Sequence, residues 1–278
     1  MNKWGKKNMR DELMKAMLSR KSVRQYTDES LTKEEIEKIQ KYIANKENLK
    51  GPFNSSIRIE LVEDLKTMPV KKAPLFAVLI TPIDNNGLID AGFVFEKFIL
   101  FIEMLGLNTC QIGMFNRDTV KLAEPINDSQ KILLCTPIGH GKEKSSLLER
   151  TIKALIGSKK RKELDEMFFS NSSKERIADG KIREKLEYLR WAPSALNAQP
   201  WRIIFEDENA HFYIAEKEHS RIHGGLNIHT LDIGIILAHY MIAFNKTKVT
   251  ICKTAPTCQG MDYLFTVEEE NNKQESLK

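Results

Sequence analysis

Cysteine is scarce in this chain of 278 residues. The four cysteines, Cys110, Cys135, Cys252 and Cys258, are scattered, with no C-x-x-C pair and no metal-finger spacing. Such isolated cysteines are typical of reduced thiols in a cytoplasmic protein. Residues 1–17 are interrupted by Lys, Arg, Asp and Glu, so they lack the apolar core of a signal peptide. We therefore expect a cytoplasmic protein.

Long uncharged apolar runs and blocks of one charge are also lacking. The most apolar run, residues 93–107, contains Glu96, Lys97 and Glu103, which indicates a buried helix rather than a membrane span. Lys and Arg exceed Asp and Glu by only 43 − 38 = 5, and no basic block is long enough for a nucleic-acid footprint. We expect neither a membrane nor a nucleic-acid partner.

Motifs for metal, nucleotide or nucleophilic chemistry are absent as well. His219 and His223 have a four-residue spacing, but Gly224 and Gly225 follow and no helical apolar period supports one face, so no metal site is predicted. The chain has no phosphate loop and no dinucleotide fingerprint, so no Rossmann-type nucleotide-binding module is predicted. Ser194 lies in no Gly-x-Ser-x-Gly elbow, which disfavours a nucleophilic serine.

The most informative stretch is residues 192–202, with the sequence Ala-Pro-Ser-Ala-Leu-Asn-Ala-Gln-Pro-Trp-Arg. It lies between an amphipathic run and a short apolar strand, so it is predicted to be a helix-to-strand loop. Loops between rigid elements often carry ligand-binding groups. Ser194, Asn197 and Gln199 can each donate and accept hydrogen bonds, which suits the edge of a heteroaromatic ring better than a charge.

A compact basic cluster lies nearer the start of the chain. Arg20, Lys21, Ser22 and Arg24 fall within five positions, and guanidinium groups bind phosphate through paired hydrogen bonds. Taken alone, the cluster is either an anion site or a solvated face. The next helix is predicted to begin at Thr32, which forms a capping box with Glu35.

Two further phrases follow apolar elements. Strands are predicted at 57–63, 75–81 and 131–138. A turn is predicted at 84–87, and a helix at 93–105 that is apolar on nearly all sides and therefore belongs in an interior or an interface. This helix ends at Gly106, and the phrase Gly-Leu-Asn-Thr-Cys-Gln-Ile-Gly-Met-Phe occupies residues 106–115. The strand at 131–138 leads into Gly139-His140-Gly141-Lys142.

These phrases together resemble the FMN-dependent nitroreductase family. Residues 193–201 resemble its Pro-Ser-x-x-Asn-x-Gln-Pro-Trp loop, residues 20–24 its Arg-Arg-Ser-x-Arg opening, and residues 106–115 its Gly-Leu-Gly-Thr-x-x-Ile-Gly-x-Phe segment. At residues 138–141 the family reads Ile-Gly-Tyr-Pro, whereas this chain has Ile-Gly-His-Gly. The resemblance extends over most of the chain, from Ser19 to Phe244, and implies an α+β nitroreductase-like fold with FMN as the cofactor.

The resemblance also implies roles for individual residues. Arg20, Lys21 and Lys142 would neutralise the FMN phosphate, and Arg24 would lie near the pyrimidine edge of the ring. The amides of Ile112 and Gly113 would face the flavin N5, and the loop at 193–201 would hydrogen-bond ring heteroatoms. The implied cofactor-binding residues are Arg20, Lys21, Ser22, Arg24, Ile112, Gly113, Gly139, Lys142, Pro193, Ser194, Ala195, Asn197 and Gln199.

The loop resembling Pro-Ser-x-x-Asn comes near the start of a subunit in the family and reaches the flavin of the other subunit, but here it lies past the middle. Asp90-x-Gly92 recurs as Asp232-x-Gly234 beside a second apolar helix at 233–244, an offset of 232 − 90 = 142. The strand arginines Arg58 and Arg202 differ by 202 − 58 = 144. These near-constant offsets predict two copies of one unit.

The two copies have kept complementary motifs. The first holds the basic cluster and the 106–115 phrase, but only Gly-Pro-Phe-Asn-Ser-Ser at 51–56 in place of the loop. The second holds the intact loop. We therefore predict a fused pseudo-dimer with a single FMN and with its two apolar helices packed near a pseudo-two-fold axis.

We predict two related α/β halves with helices packed on sheets: residues 1–148, a charged connector at 149–173, and a second, truncated half at 174–278. The chain would act as a monomeric pseudo-dimer, with further oligomerisation left open. The implied function is an FMN oxidoreductase that passes hydride from NAD(P)H to a small organic acceptor, with the flavin carrying the chemistry. The alternative is a non-enzymatic flavin- or small-molecule-binding or sensing protein.

Overall fold

The computed structural model describes residues 3–67, 70, 72–142, 160–206, 209–219, 226–246, 248–251 and 254–268. The chain divides into two compact units, Met1–Lys160 and Arg161–Lys278. Each unit has its own sheet with helices beside it. The α+β fold class predicted from the sequence is confirmed.

The first unit carries one four-stranded sheet, with strand order β1-β2-β4-β3 and antiparallel neighbours throughout. The long helix α3 packs against β2 of this sheet and against α1. The elements are α1 (Lys3–Ser19), α2 (Lys33–Ala44), β1 (Arg58–Val62), β2 (Leu75–Pro82), α3 (Asn85–Met104), β3 (Asn108–Thr109) and β4 (Gln130–Gly139), with short 3₁₀ turns at Lys46–Leu49 and Arg117–Thr119.

The second unit carries a five-stranded sheet, with strand order β5-β6-β7-β9-β8. Its neighbours are antiparallel, except that β5 runs parallel to β6. The elements are α4 (Leu164–Met167), β5 (Phe168–Phe169), α5 (Lys181–Arg190), a 3₁₀ turn (Ala195–Asn197), β6 (Trp201–Glu206), β7 (Asn209–Ala215), α6 (Glu216–His219), α7 (Ile228–Phe244), β8 (Val249–Thr250) and β9 (Met261–Val267).

The two sheets share one topology. Each has a hairpin of two antiparallel strands, β1-β2 or β6-β7, followed by a long apolar helix, a short edge strand and a final strand that returns beside the hairpin. The order β1-β2-β4-β3 therefore corresponds to β6-β7-β9-β8, with β5 as an addition in the second unit. This correspondence supports the two related halves expected from the sequence. The packing of the two apolar helices against each other stays a prediction.

The predicted connector at 149–173 is wrong for part of its length. Residues 149–159 lie outside the described part of the chain, but Leu164 to Phe169 form α4 and β5, and β5 pairs with β6. The prediction was wrong because four apolar residues that pack in the core directly follow the charged run. Leu164, Met167, Phe168 and Phe169 are all buried, and the second unit begins at Arg161 rather than at 174.

The two apolar helices begin earlier than the sequence predicts. Helix α3 starts at Asn85 because the Asp84 side chain accepts a hydrogen bond from the Gly87 N–H at 2.8 Å. The predicted turn at 84–87 is therefore wrong, since Asp84 is a helix N-cap. Helix α7 likewise begins at Ile228, capped by Asn227. The C-terminal end of α3 is as predicted, with Gly106 in the left-handed region at φ 77°.

Other local predictions are confirmed. The Thr32 capping box forms at the start of α2, and the predicted strands at 57–63, 75–81 and 131–138 correspond to β1, β2 and β4. Among the described residues, Cys110, Cys135 and Cys258 form no disulfide and are buried. Burial raises the pKa of the Cys135 thiol to about 12, which keeps it protonated. In the described part of the chain, no helix combines the length and apolar character needed to span a membrane.

Candidate functional site

In the first unit, the basic cluster lies beside the other two predicted phrases. After α1, the chain runs along β3, where the Val23 N–H donates to the Thr109 carbonyl at 2.9 Å. It then passes the end of β4, where Thr27 donates to the His140 carbonyl at 2.8 Å and Lys142 donates to the Gln25 carbonyl at 2.9 Å. The structure thus brings together residues 20–24, 108–113 and 139–142, which are distant in sequence.

Glycine is required where these segments meet. A Cβ atom at Gly139 would lie 2.8 Å from a ring carbon of Pro74, and one at Gly141 would lie 2.4 Å from Asn108 Oδ1. Both distances are shorter than real Cβ contacts allow, so any larger residue would push the segments apart. The two glycines therefore maintain the close approach of residues 20–27 to this end of the sheet.

The departures from the family pattern at 108 and 141 are structurally coupled. Asn108 occupies the third position of the phrase that the family writes Gly-Leu-Gly-Thr, and Gly141 occupies the place of its proline. The Gly141 N–H donates to Asn108 Oδ1 at 2.9 Å. A proline at 141 has no N–H to donate, so this hydrogen bond exists only with both replacements present.

A carboxylate that the sequence analysis did not assign lies beside the basic cluster. The Ser19 hydroxyl donates to Glu103 Oε1 at 2.9 Å, and Glu103 Oε2 is buried without a hydrogen-bond partner among the described residues. Burial raises the pKa of Glu103, while the positive charges of Arg20 and Lys21 act in the opposite direction. The Glu103 carboxyl group and the cations of the cluster therefore interact electrostatically. The available signal was a charged residue within a mostly apolar helix.

The predicted N5 contacts are corrected in part. The Ile112 N–H does not face outward, because it donates to the Cys135 carbonyl at 2.8 Å in an isolated bridge with β4. Gly113 is exposed, and its N–H has no hydrogen-bond partner among the described residues. A Cβ at Gly113 would meet only a methyl group of Leu134 at 3.6 Å. No described protein group requires glycine there, so the space in front of Gly113 is open to a ligand.

The loop at 193–199 in the second unit has a strained backbone. Leu196, Asn197 and Gln199 have φ angles of 52°, 56° and 49°, although none of them is glycine. Each left-handed residue of this kind costs about 1 kcal/mol or more, and such residues cluster at ligand-binding sites. Leu196 is 68% exposed at the tip of the loop. The conformation persists because the surrounding unit holds it at several points.

The polar side chains of this loop bind groups of their own unit, and their predicted contacts with the flavin stay a prediction. Ser194 Oγ accepts a hydrogen bond from the Gln199 N–H at 2.9 Å, and Gln199 Oε1 accepts one from the Lys162 N–H at 2.9 Å. Asn197 Oδ1 accepts a hydrogen bond from the Arg161 guanidinium. A backbone with three left-handed residues leaves polar groups that the loop must satisfy locally, and these side chains do so.

Two cations that the sequence analysis missed hold the end of the loop. Lys162 Nζ donates to the carbonyls of Ala198 and Gln199 at 2.8 Å and 3.1 Å, and the Arg202 guanidinium also donates to the Gln199 carbonyl. Burial, followed by the nearby charge of Arg202, lowers the pKa of Lys162 to about 8. Lys162 was overlooked because it belongs to the charged run assigned to the connector.

An aspartate from the apolar helix clamps the corresponding loop in each unit. The Ala195 N–H donates to Asp232 Oδ1 at 2.9 Å, and the Phe53 N–H donates to Asp90 Oδ1 at 3.0 Å. The donors are 195 − 53 = 142 residues apart, which equals the offset of the aspartates. The left-handed residues Asn54 and Leu196 are also 142 apart. The first-unit segment at 51–56 therefore occupies the place of the loop, as the duplication predicts.

Comparison with known proteins identifies the family of this chain. The family described as "Putative TM nitroreductase" matches residues 12–244. The chain belongs to this family. A search of the curated proteins finds no match.

Among solved structures, a "putative nitroreductase" from Thermotoga maritima is 16% identical, with a TM-score of 0.58 and 92% of each chain covered. A nitroreductase family protein from Clostridium novyi NT is 20% identical over 48% of this chain and 89% of its own, with a TM-score of 0.39. An FMN-dependent nitroreductase from Clostridium difficile R20291 is 20% identical over 47% and 88%, with a TM-score of 0.36. The likeness to the Thermotoga maritima protein shows the nitroreductase-like fold over nearly the whole chain.

Proposed function

We propose that this protein is an FMN-dependent oxidoreductase that passes hydride from NAD(P)H through the flavin to a small organic acceptor. Membership of the nitroreductase family supports the oxidoreductase class. The observation that carries the cofactor assignment is the convergence of residues 20–24, 108–113 and 139–142 in one unit, while the other unit presents the strained loop.

The groups in the first unit fit a phosphate-bearing, planar cofactor. Arg20, Lys21 and Arg24 provide fixed positive charge, and Lys142 follows the strand that ends beside them. Arginine and lysine are the side chains that most often bind phosphate oxygens. A few cations within one short segment are enough to bind a phosphate monoester, so the site would not need an extended basic surface. FMN, when bound, would supply the hydride-transfer chemistry.

The protein's own residues would bind and orient the cofactor. The positive charge of Arg24 would stabilise negative charge on a reduced ring. The exposed Gly113 N–H, lying in open space, would donate a hydrogen bond to a ring atom. In the second unit, the loop at 193–199 would present its rigid backbone and the exposed Leu196 side chain to the ring, since Ser194 and Gln199 hold its shape. No protein acid or base is assigned, because solvent can supply the proton to the acceptor.

The complementary distribution of groups supports one FMN per chain. A second site would need the basic cluster in the second unit and the loop in the first. The second unit has Ser-Asn-Ser-Ser-Lys at 170–174 in place of the cluster, and the first unit has Gly-Pro-Phe-Asn-Ser-Ser at 51–56 in place of the loop. We propose a cytoplasmic, monomeric pseudo-dimer with one small-molecule acceptor site.

A second candidate function, a flavin- or small-molecule-binding protein without turnover, is favoured by one observation. Arg161 and Lys162 engage Asn197 and Gln199 within the second unit. A loop whose polar groups are already satisfied could serve recognition alone.

Flavin stoichiometry and reducibility distinguish these functions. The purified protein is incubated with FMN, freed of excess, and its visible absorbance is recorded before and after anaerobic addition of NADPH. One FMN per chain that bleaches promptly is expected for the oxidoreductase. Bound flavin that stays oxidised would favour the binding protein, two FMN per chain would refute the single-site assignment, and no bound flavin would refute both functions.

Substitutions in each unit test the assembled site. Arg20→Ala removes a cation that is proposed to bind the phosphate, and Asn197→Ala removes the acceptor that bonds Arg161 and supports the loop. Each substitution is expected to weaken FMN binding about 10- to 100-fold. Asn54→Gly and Lys174→Gln are matched controls. Asn54 lies in the first-unit counterpart of the loop and Lys174 in the second-unit counterpart of the basic cluster, with φ angles of 58° and 62°, and neither substitution should change the FMN Kd. Wild-type affinity in either of the first two variants would contradict the proposal.

A further inference from the structure

A buried cluster of two acids and one histidine lies behind the loop of the second unit. Glu218, His229 and Asp232 are 5%, 2% and 1% exposed. His229 Nδ1 lies 2.8 Å from Asp232 Oδ2, and His229 Nε2 lies 3.5 Å from Glu218 Oε2. The imidazole thus lies between two carboxylates, one from its own helix α7 and one from α6. Buried charges need such partners, because burial without them costs several kcal/mol.

Asp232 connects this cluster directly to the loop. Its Oδ2 accepts from His229, and its Oδ1 accepts the Ala195 N–H at 2.9 Å. Burial raises the pKa of Asp232, whereas the hydrogen bonds from His229 and Ala195 lower it. The hydrogen bond from His229 therefore opposes the effect of burial on Asp232 and turns its other oxygen toward Ala195.

The first unit shows what the histidine replaces. Asp90, the counterpart of Asp232, accepts two loop amides, Phe53 at Oδ1 and Ser55 at Oδ2. The counterpart of Ser55 is Asn197, because 197 − 55 = 142. The Asn197 N–H donates instead to the Ser194 carbonyl at 3.0 Å. The second aspartate oxygen has thus lost a loop amide, and His229 takes its place.

The histidine is specific to the half that carries the intact loop. Its counterpart in the first unit is Gly87, since 229 − 87 = 142. A Cβ at Gly87 would lie 2.6 Å from the Pro82 carbonyl oxygen, so no side chain fits there. In the first unit the aspartate is held by two loop amides, whereas in the second unit one of them is replaced by the His229 side chain.

We propose that His229 is a positioning residue that fixes the Asp232 carboxylate and thereby holds the loop at 193–199 in its ligand-binding conformation. The Glu218 carboxylate lies on the other side of the ring, 3.5 Å from Nε2, and a neighbouring carboxylate commonly orients a functional histidine. This role rests on the proposed function in one respect: the loop at 193–199 is assumed to bind the flavin.

The test uses two substitutions that separate the ring nitrogens. In His229→Asn, the amide nitrogen lies near the position of Nδ1 and can still donate to Asp232; in His229→Gln, it lies near Nε2 and cannot. His239→Gln is the matched control, because His239 is buried in the same helix and its Nδ1 lies 2.9 Å from the Tyr188 carbonyl of α5, away from Asp232 and the loop amide that it holds. Loop order is read by hydrogen exchange of the 193–201 peptide, which needs no flavin, and binding by the FMN Kd.

His229→Gln is expected to speed exchange of the loop amides about tenfold and to weaken FMN binding by a similar factor, since one hydrogen bond to a charged group is lost. His229→Asn should keep both near wild type. Wild-type loop exchange in His229→Gln would overturn the proposal. Equal acceleration in His229→Gln, His229→Asn and His239→Gln would also overturn it, by showing a merely structural role. Faster loop exchange in His229→Gln alone, in a protein that binds no FMN, would support the positioning role while refuting the proposed function.

A second variant keeps the test decisive if His229→Gln folds poorly. Ala195→Pro removes only the N–H that Asp232 accepts, and it suits the backbone because Ser194 is extended at φ −146° and ψ 158°. Ala195→Pro should speed exchange of the remaining loop amides about tenfold, as His229→Gln does. Adding His229→Asn to it should change nothing further. Wild-type exchange in Ala195→Pro, or a further loss in the double variant, would overturn the proposal.

Discussion

Gly51→Ala is the substitution whose effect follows most directly from the clamp in the first unit. A Cβ atom at position 51 would lie 2.2 Å from both Cγ and Oδ1 of Asp90, and 2.5 Å from its Cβ. The φ angle of Gly51 is not in the left-handed region, so alanine is acceptable to the backbone itself. The whole cost therefore arises from the displaced Asp90 side chain.

The magnitude follows from what Asp90 holds. Its two oxygens accept the Phe53 and Ser55 N–H groups at 3.0 Å and 2.8 Å. Hydrogen bonds to a charged group are worth about 1.5–3 kcal/mol each, and a buried carboxylate that loses its donors costs more. Displacing Asp90 should therefore lower the free energy of unfolding by about 3–5 kcal/mol. That is a large fraction of the roughly 5–15 kcal/mol typical of a folded domain.

Urea unfolding followed by circular dichroism at 25 °C would measure this loss. Gly113→Ala is the control, because its Cβ would meet only Leu134 at 3.6 Å, and it should change the stability by less than about 1 kcal/mol. In an Asp90→Gly background, the atoms that clash are gone, so Gly51→Ala should then cost little. A loss below about 1 kcal/mol in the wild-type background, or an equal loss in both backgrounds, would refute the reasoning.

Two further predictions concern local contacts. Thr32→Ala removes the capping box in which Thr32 Oγ1 accepts the Glu35 N–H, so it should cost about 1 kcal/mol and lower Tm by about 2–4 °C; an unchanged Tm would contradict this. Because the pKa of Lys162 falls from 10.5 to about 8 on folding, the unfolded chain binds the proton more tightly, and stability should rise between pH 8 and pH 10.5. Allowing for solvent screening, the gain is about 1–2 kcal/mol, and it should be absent from the pH profile of Lys162→Met; equal profiles would contradict the assignment.

Motifs and periodic patterns predicted the elements of this fold well, because they depend on neighbours in sequence. The apolar helices, the strands and the Thr32 capping box are of this kind. The start of α3 was missed because Asp84 occurs in turns and in N-caps alike, and only the bond to Gly87 distinguishes them. The apolar residues of α4 were hidden within charged neighbours.

The candidate site was predictable at the level of segments and less so at the level of atoms. The aspartates Asp90 and Asp232 were visible as landmarks of the duplication, but their role as clamps depends on loops 37 residues away. The bonds of Asn197 to Arg161 and of Gln199 to Lys162 also join distant segments. No local pattern encodes such partners, since they are set by how the sheet and helix bring the segments together.

The two aspartate clamps show that the contacts that support a loop are made by different residues from those that its exposed side chains offer to a ligand. In each half, the supporting contacts are an aspartate and a backbone N–H at fixed spacing, and these persist although the loop sequences differ at nearly every position. The exposed residues of one loop could therefore change during evolution while the aspartate contact that supports the loop was preserved. The segment at 51–56 keeps the supporting aspartate but lacks the residues of the binding loop. Replacing it with the residues of 193–198 is therefore a rational route to a second binding loop in the same chain.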